Sequence, residues 1–254
     1  MGLLDKIKTE NTADRYLSFI RHSDAHTIIT RNRGAFQMLK LEGVSFRTAD
    51  TQLINTLHNQ LSHALRNIAD DTVMAYVHVV RATDDDYPSG TFVTGLARWI
   101  DESYRSRIEA KRLFRNDLYL TVYMQPRSLP GGRLAKGVRR ARTSQIEVDQ
   151  DLLDDLDDKT TQLTRSLSRF RPRKLSIIRD HRDLLISEPA SVLKQLISGR
   201  YEPVPLVHGT IGNAIYTDRV IFGREALEIR HAAASTYGAM FGIKEYHART
   251  RPNM

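Results

Sequence analysis

Cysteine is absent from the 254 residues. Its absence excludes disulfides, thiolate metal sites and cysteine nucleophiles, and it fits a reducing compartment. Long apolar runs are also absent. No stretch approaches the roughly 18–20 residues needed to span a bilayer. The opening Met1-Gly2-Leu3-Leu4-Asp5-Lys6-Ile7-Lys8 lacks the apolar segment of a secretory signal, and Lys6 stands where a myristoylation site wants Ser or Thr. It reads as a short amphipathic turn. Catalytic signatures are scarce too. No Gly-x-Ser-x-Gly elbow and no His-Glu-x-x-His occurs. Gly90 and Gly95 are followed by Leu96-Ala97, and Gly132 and Gly137 by Val138-Arg139. Neither pair leads into the Lys-Ser/Thr that holds phosphate and magnesium in a P-loop, so both read as chance spacing.

What is present describes a soluble globular chain: 41% hydrophobic and 27% charged residues, with a net charge of +8. The charge points to an anionic partner without choosing among nucleic acid, lipid and protein. Residues 1–24 read as a leader. His26 to Asn32 and Ala35 to Leu41 read as a hairpin around Asn32-Arg33-Gly34, with Gly34 supplying a positive φ. Thr48 or Asp50 caps a helix carrying Leu53, Leu57, Leu61, Ala64, Leu65 and Ile68. Val73 to Val80 is the next strand. Phe92, Leu96, Trp99, Ile100, Tyr104 and Ile108 mark a second helix. In Arg115-Asn116-Asp117-Leu118-Tyr119-Leu120-Thr121-Val122-Tyr123, Asn116 and Asp117 favour a turn. Leu118, Leu120 and Val122 then alternate with Tyr119, Thr121 and Tyr123 as a strand with its aliphatic side in a core.

The first half is thus β-β-α-β-α-β, which predicts an α+β fold: an antiparallel or mixed sheet with helices on one face, followed by a second α+β lobe. The expected boundaries are a leader at 1–24, a first lobe at 25–126, a basic connection at 127–142 and a second lobe at 143–254. The connection carries Arg127, Arg133, Lys136, Arg139, Arg140 and Arg142 and no acid, whereas Glu147 to Asp158 holds seven acids and no base. Leu152, Leu153, Leu156, Leu163 and Leu167 continue through the acids to Arg165 and Arg169. This is a long helix whose charges complement its dipole. Leu175 to Ile178 and Leu184 to Ile186 are short strands. Pro189 to Ser198 is a helix stopped by Gly199, and the end of the chain is β-rich.

The basic block is the best candidate contact surface. It suits anionic lipid, at about 1 kcal/mol per basic residue near the membrane, or DNA phosphate, or the acidic run of the same or a neighbouring molecule. A solvated loop is the bland alternative. No aromatic residue lies in the block to stack on bases. The histidines fall at poor ligating intervals, Asp84-Asp85-Asp86 lacks the spacing of a calcium loop, and the acids at 147–158 read as a solvated helix face. No residue is assigned a catalytic, cofactor-binding or metal-binding role.

The strand stretch at 115–123, with Leu41-Glu42-Gly43-Val44-Ser45-Phe46-Arg47-Thr48-Ala49-Asp50 and Leu65-Arg66-Asn67-Ile68-Ala69, resembles the N-terminal region of the large ATPase of type IV secretion and conjugation systems, the CagE/TrbE/VirB family. Tyr87-Pro88, Leu196-Ile197-Ser198-Gly199 and Gly242-Ile243-Lys244-Glu245-Tyr246 follow in the same order. The resemblance implies a protein that is peripheral on the cytoplasmic face of the bacterial inner membrane. It implies a homo-oligomer that contacts small membrane subunits and other secretion subunits, and serves substrate transfer and pilus assembly. It also implies a nucleotide-binding motor C-terminal to the matched region, so ATP and magnesium are expected only there and this chain alone is expected to hydrolyse no ATP. The strand edges at 26–41 and 117–123, with the basic block, are the expected contact surfaces. The alternative is a free-standing basic nucleic-acid-binding protein, for which no helix-turn-helix, zinc-finger or RNA-recognition signature accompanies the charge.

Overall fold

The hairpin at the start of the chain forms from β2 (Thr27–Thr30) and β3 (Ala35–Leu41), with Thr27 opposite Gln37 and Ile29 opposite Ala35. The computed structural model describes residues 16–45, 49–84, 87–88, 90–111, 113–127 and 148–243. Its tight turn differs from expectation in one respect. Arg33, not Gly34, takes the left-handed conformation, at φ 64°. Gly34 is needed for space instead. A Cβ there would lie 2.7 Å from the carbonyl oxygen of Met124 and closer still to the Tyr123 hydroxyl, which itself accepts a 2.6 Å hydrogen bond from Asn32 Nδ2.

Around the hairpin runs an antiparallel sheet in the order β1-β2-β3-β5-β4, with β1 at Phe19–His22, β4 at Val73–Thr83 and β5 at Phe114–Met124. A sixth strand, β6 (Pro172–Lys174), pairs with Leu39–Leu41 of β3, on the half of that strand that β2 leaves free. Two expectations change here. β1 lies within the stretch read as a leader. β6, from the stretch assigned to a second lobe, completes the first sheet. The segments 26–41 and 117–123 are not sheet edges either, because β3 and β5 each have neighbours on both sides. The long edge is β4.

Side chains alternate across β5, and both of its faces are covered. Leu120, Val122 and Met124 join Ala35 and Leu39 under α1 (Thr51–Ile68) and α3 (Gln150–Ser166). Tyr119 joins Ile28, Phe36 and Met38 on the other face, against α4 (Glu188–Ser198) and α5 (Ile211–Ile215). The antiparallel α+β class predicted from the periodicities is the one observed, and the later part of the chain adds the second helical layer.

The helix ends follow local chemistry. Asp50 accepts from the Leu53 amide at 2.7 Å, Asp149 caps α3, and α4 begins with Pro189 in its first turn and stops at Gly199, φ 73°. Asp151 in the first turn of α3 and Arg165 in its last complement its dipole as predicted.

α2 (Gly95–Glu109) departs from expectation. Its apolar stripe was expected to pack on the sheet, yet none of its side chains is buried. Topology explains this: α2 joins the far ends of β4 and β5, beyond Thr83 and Phe114, while α1 and α3 already fill the adjacent face. Two small antiparallel sheets complete the described residues. One is β7 (Ile177–Arg179), β8 (Leu185–Ser187) and β9 (Val204–Pro205). The other is β10 (Arg219–Phe222), β11 (Leu227–Arg230) and β12 (Ser235–Gly238).

Candidate functional site

Three features outside the bulk core could carry function: a charged cleft at the start of β5, a histidine–serine cleft beside β1, and the bare helix α2.

The charged cleft is built on the first half of the landmark stretch. Asn116 and Asp117 do not form a turn. They continue β5, opposite Arg81 and Val80 of β4. Asp117 is only 7% exposed. Its carboxylate finds side-chain cations where the turn reading supplied backbone amides: Lys40 Nζ at 3.1 Å and Arg115 Nε at 3.2 Å. Beside it Arg173 of β6 makes a two-pronged contact to Glu188 at the start of α4, at 2.7 and 2.8 Å. Burial raises the Glu188 pKa, but Arg173 and the Ser176 amide outweigh it and hold the carboxyl below its ordinary range. Tyr119, beneath Lys40, has its phenol pushed up to about 12 by burial and then by the Asp117 charge. These groups surround a space of about 250 Å³ that Gln195 and Tyr201 close.

The cleft's charges are matched in pairs that join β3, β5, β6 and α4. Lys40 and Arg115 bind Asp117 within the early part of the chain and Arg173 binds Glu188 within the late part, while the two parts meet through the backbone pairing of β6 with β3. The two carboxylates that line the space, Asp117 and Glu188, are both held in ion pairs.

The second cleft, about 430 Å³, has His22 and Ser187 in its wall. His22 Nδ1 donates to the Asp24 carbonyl at 3.2 Å, so Nε2 is the acceptor for the Ser187 hydroxyl at 2.7 Å. A serine facing a histidine in this way is the arrangement of an activated nucleophile. Acyl transfer also needs free donors for the developing oxyanion. Here the Ala190 amide donates to Ser187 Oγ at 3.1 Å, the Glu188 amide donates to Ser176 O at 3.0 Å, and residue 189 is proline. The neighbouring amides are engaged, so the pair ties β1 to the start of α4. Sequence reasoning missed it because the partners lie 165 residues apart. The Ser-Glu-Pro start of α4 signals a helix cap and nothing more.

Burial lowers the His22 pKa from 6.5, with the Asp24 carbonyl and carboxylate opposing. The folded state therefore favours neutral His22. That contribution to stability is complete above the unfolded value of 6.5 and is lost as pH falls through the lower folded value. His78, also lowered by burial, acts in the same direction. The urea midpoint is expected to fall between pH 7.5 and 5.5, values chosen to bracket the ordinary histidine pKa of about 6.5. The fall should be smaller in His22→Gln. An equal fall in both proteins would remove His22 as a cause.

The remaining predicted residues are dispersed. Arg127 is exposed and 3.6 Å from Asp70, while Arg133, Lys136, Arg139, Arg140 and Arg142 lie outside the described residues. Asp84 stands 3.8 Å from Arg115, and Asp85 and Asp86 lie outside the described residues. The acidic run is only partly a solvated face. Asp157 accepts from Lys174 at 2.7 Å and Gln37 at 2.9 Å, and these two contacts hold its carboxyl below the ordinary range.

On α2, Leu96, Trp99, Ile100 and Tyr104 are all more than half exposed, and Val93 precedes them fully exposed. The Tyr87-Pro88 landmark anchors this helix: Tyr87 donates to Asp101 at 2.8 Å, and the Arg105 guanidinium lies 4.8 Å from its ring centre. Among the described residues, no helix is long and apolar enough to cross a membrane.

Comparison with known proteins places this arrangement among components of type IV secretion systems. Residues 26–130 match the family described as the type IV secretion system ATPase VirB4/TrbE, N-terminal domain. Residues 173–254 match the CagE, TrbE, VirB family, component of type IV transporter system. The chain is 38% identical over 251 residues to the type IV secretion system protein virB4 of Bartonella quintana, covering 98% of this chain and 32% of that protein. It is 32% identical over 247 residues to the protein virB4 of Agrobacterium fabrum, covering 97% and 31%. It is 24% identical over 256 residues to the type IV secretion system protein PtlC of Bordetella pertussis, covering 97% and 30%. The chain belongs to the VirB4/TrbE family of type IV secretion ATPases and corresponds to its N-terminal region. It spans about a third of the length of the curated relatives it matches. The two matched segments meet where β6 pairs with β3, Lys174 opposite Leu39 and Arg173 opposite Lys40.

Proposed function

We propose that this region is the docking and assembly part of a type IV secretion ATPase. It holds a nucleotide-binding motor against the secretion machinery at the cytoplasmic face of the inner membrane, for substrate transfer and pilus assembly. On this reading its own contribution is binding, and ATP and magnesium are held outside these residues. The observation that carries the reading is α2: a capped helix whose apolar stripe, with Trp99 at its centre, is left bare at the end of two paired strands. Isolated apolar residues on a surface are ordinary, but a contiguous group marks an interaction site. Contact of the basic block at 127–142 with anionic lipid is part of the same proposal.

Two arms test it in the full-length ATPase. Leu96→Asp with Trp99→Asp should abolish co-purification with the solubilised membrane subunits of its own secretion system and leave the unfolding midpoint unchanged. Sedimentation with vesicles of anionic phospholipid should be unaffected by that pair. Undiminished co-purification would sink the role given to α2. Loss of vesicle binding instead would move the helix from protein to lipid contact. Arg115, Arg173, Lys174, Arg179, Lys194 and Arg230 stand in ion pairs, which leaves these six less available to nucleic-acid phosphate.

A further inference from the structure

The charged cleft at the start of β5 holds more hydrogen-bonding capacity than its ion pairs use. Register sets one wall. Tyr119 of β5 is opposite Lys40 of β3, and Lys40 is opposite Arg173 of β6, so the three side chains form a row across adjacent strands. The other wall is the face of α4 that carries Glu188, Val192 and Gln195, spaced one turn apart. Two cations directly opposite on a sheet destabilise it unless negative charge answers both. Glu188 answers Arg173, but Asp117 is shared by Lys40 and Arg115. Three cations therefore line the space with two carboxylates, and Asp84, 3.8 Å from Arg115, does not line it. Donors are left over, since an ammonium has three N–H groups and a guanidinium five. The side chains of Lys40 and Arg173 are 38% and 54% exposed. Gln195 has the opposite deficit. It is 5% exposed, it lines the cleft, and its Oε1 accepts no hydrogen bond among the described residues. Buried polar groups nearly always have a partner, so this exception calls for one from the cleft beside it.

We propose that this cleft binds an α-carboxylate together with the N–H next to it, the carboxylate lying between Lys40 and Arg173 and the N–H donating to Gln195 Oε1. That unit is a free amino acid or the C-terminal residue of a polypeptide. Its single negative charge offsets the one excess cation, and bonds from lysine and arginine to a carboxylate are of the strong, charge-assisted kind. A phosphate group fits less well. It carries nearly two charges at neutral pH, which Asp117 and Glu188 repel, and it has almost no hydrogen to give Gln195. Size agrees with the smaller unit. Drug-sized ligands fill pockets of about 300–1,000 Å³, whereas the space here is about 250 Å³. Leu175 and Val192, 1% and 2% exposed, give the carbon atoms of one residue an apolar wall.

The site is independent of the docking role of α2, and changes at Leu96 and Trp99 leave it untouched. Its test is an NMR titration of the 254-residue chain, read at the Gln195 side-chain amide. N-acetylglycine carries a carboxylate and an amide N–H, as a chain terminus does. Glycine carries a carboxylate and an ammonium. N-acetylsarcosine keeps the carboxylate but has a methyl group in place of the N–H. Saturable shifts with N-acetylglycine alone identify a polypeptide terminus, and with glycine alone a free amino acid. Shifts with both make the α-carboxylate and its N–H the whole of what is recognised. N-acetylsarcosine should bind more weakly than the better of the two by about tenfold or more. Gln195→Leu should erase that preference and leave the unfolding midpoint unchanged or higher, because an apolar side chain leaves no acceptor unmet. Lys40→Met, which leaves Asp117 its partner Arg115, should weaken the better probe by about tenfold or more. No saturable shift with either N-acetylglycine or glycine overturns the proposal. N-acetylsarcosine binding as tightly as they do, or a preference that survives Gln195→Leu, overturns the role given to Gln195.

Discussion

Leu156→Ala is expected to lower the unfolding free energy by about 2–5 kcal/mol, the range for a fully enclosed leucine. Leu156 is completely buried on the inner side of α3, together with Leu163 and Leu167, where α3 crosses β3 and β5 and meets α1. The loss has two sources, the transfer of the side chain to water in the reference state and the cavity left between helix and sheet. The cavity term should be felt in full, because the site is enclosed by two helices and a sheet that cannot collapse together. Urea unfolding should show a lower midpoint at unchanged slope, since the surface exposed on unfolding hardly changes. Leu153→Ala, one turn earlier and only partly buried, supplies the comparison. If the two variants lose equal stability, α3 is not seated as described.

Phe36→Ala probes the other face of the same sheet and is expected to cost about 3–5 kcal/mol. Its ring is 3% exposed and meets Phe19 edge-on, with centres 5.6 Å apart at 67°. Around it lie Ile28, Met38 and the inner side of α4. Part of the cost is the lost aromatic pair, about 0.5–1.5 kcal/mol beyond area burial. The larger interest is cooperativity. Leu156 and Phe36 lie on opposite faces of one sheet, and β6 from late in the chain is hydrogen-bonded into that sheet. Calorimetry should therefore give a single transition that both substitutions move to lower temperature. Two transitions, one sensitive to each change, would restore two independently folding lobes at 25–126 and 143–254. At this chain length each kcal/mol is worth about 2–4 °C, so the shifts are measurable.

The parts of this structure that were legible in the chain are those governed by neighbours in sequence. The hairpin at 27–41 followed from alternating apolar residues and a polar turn. α1 and α3 followed from leucines at helical spacing, α1 behind a capping residue at Thr48 or Asp50. The limits of α4 followed from Pro189 and Gly199. Each is settled by local backbone chemistry or by one-dimensional periodicity. Readings failed where partners came from far away. Asn116 and Asp117 favour a turn in isolation, but Lys40 and Arg115 stabilise Asp117 in an extended strand. The stripe on α2, like that on α1, has helical spacing. Only the path of the chain decides that α1 is covered and α2 is bare. The basic block, legible as a charged connection, has one described member, Arg127, which stands near Asp70.

By itself the sequence determined the elements, the α+β class and, through ordered landmarks spread along the chain, the secretion ATPase family. Those properties depend on residue type and spacing, which are local. Tertiary structure alone decided that one sheet is covered on both faces, that β6 from late in the chain joins it and α3 packs on it, and which edge stays open. It also decided that His22 faces Ser187 and that β6 pairs with β3 across the two matched segments. These depend on contacts between residues more than a hundred positions apart or on competition for a buried face. No local pattern encodes either, because burial is a property of the folded surface and not of the strand or helix that supplies it.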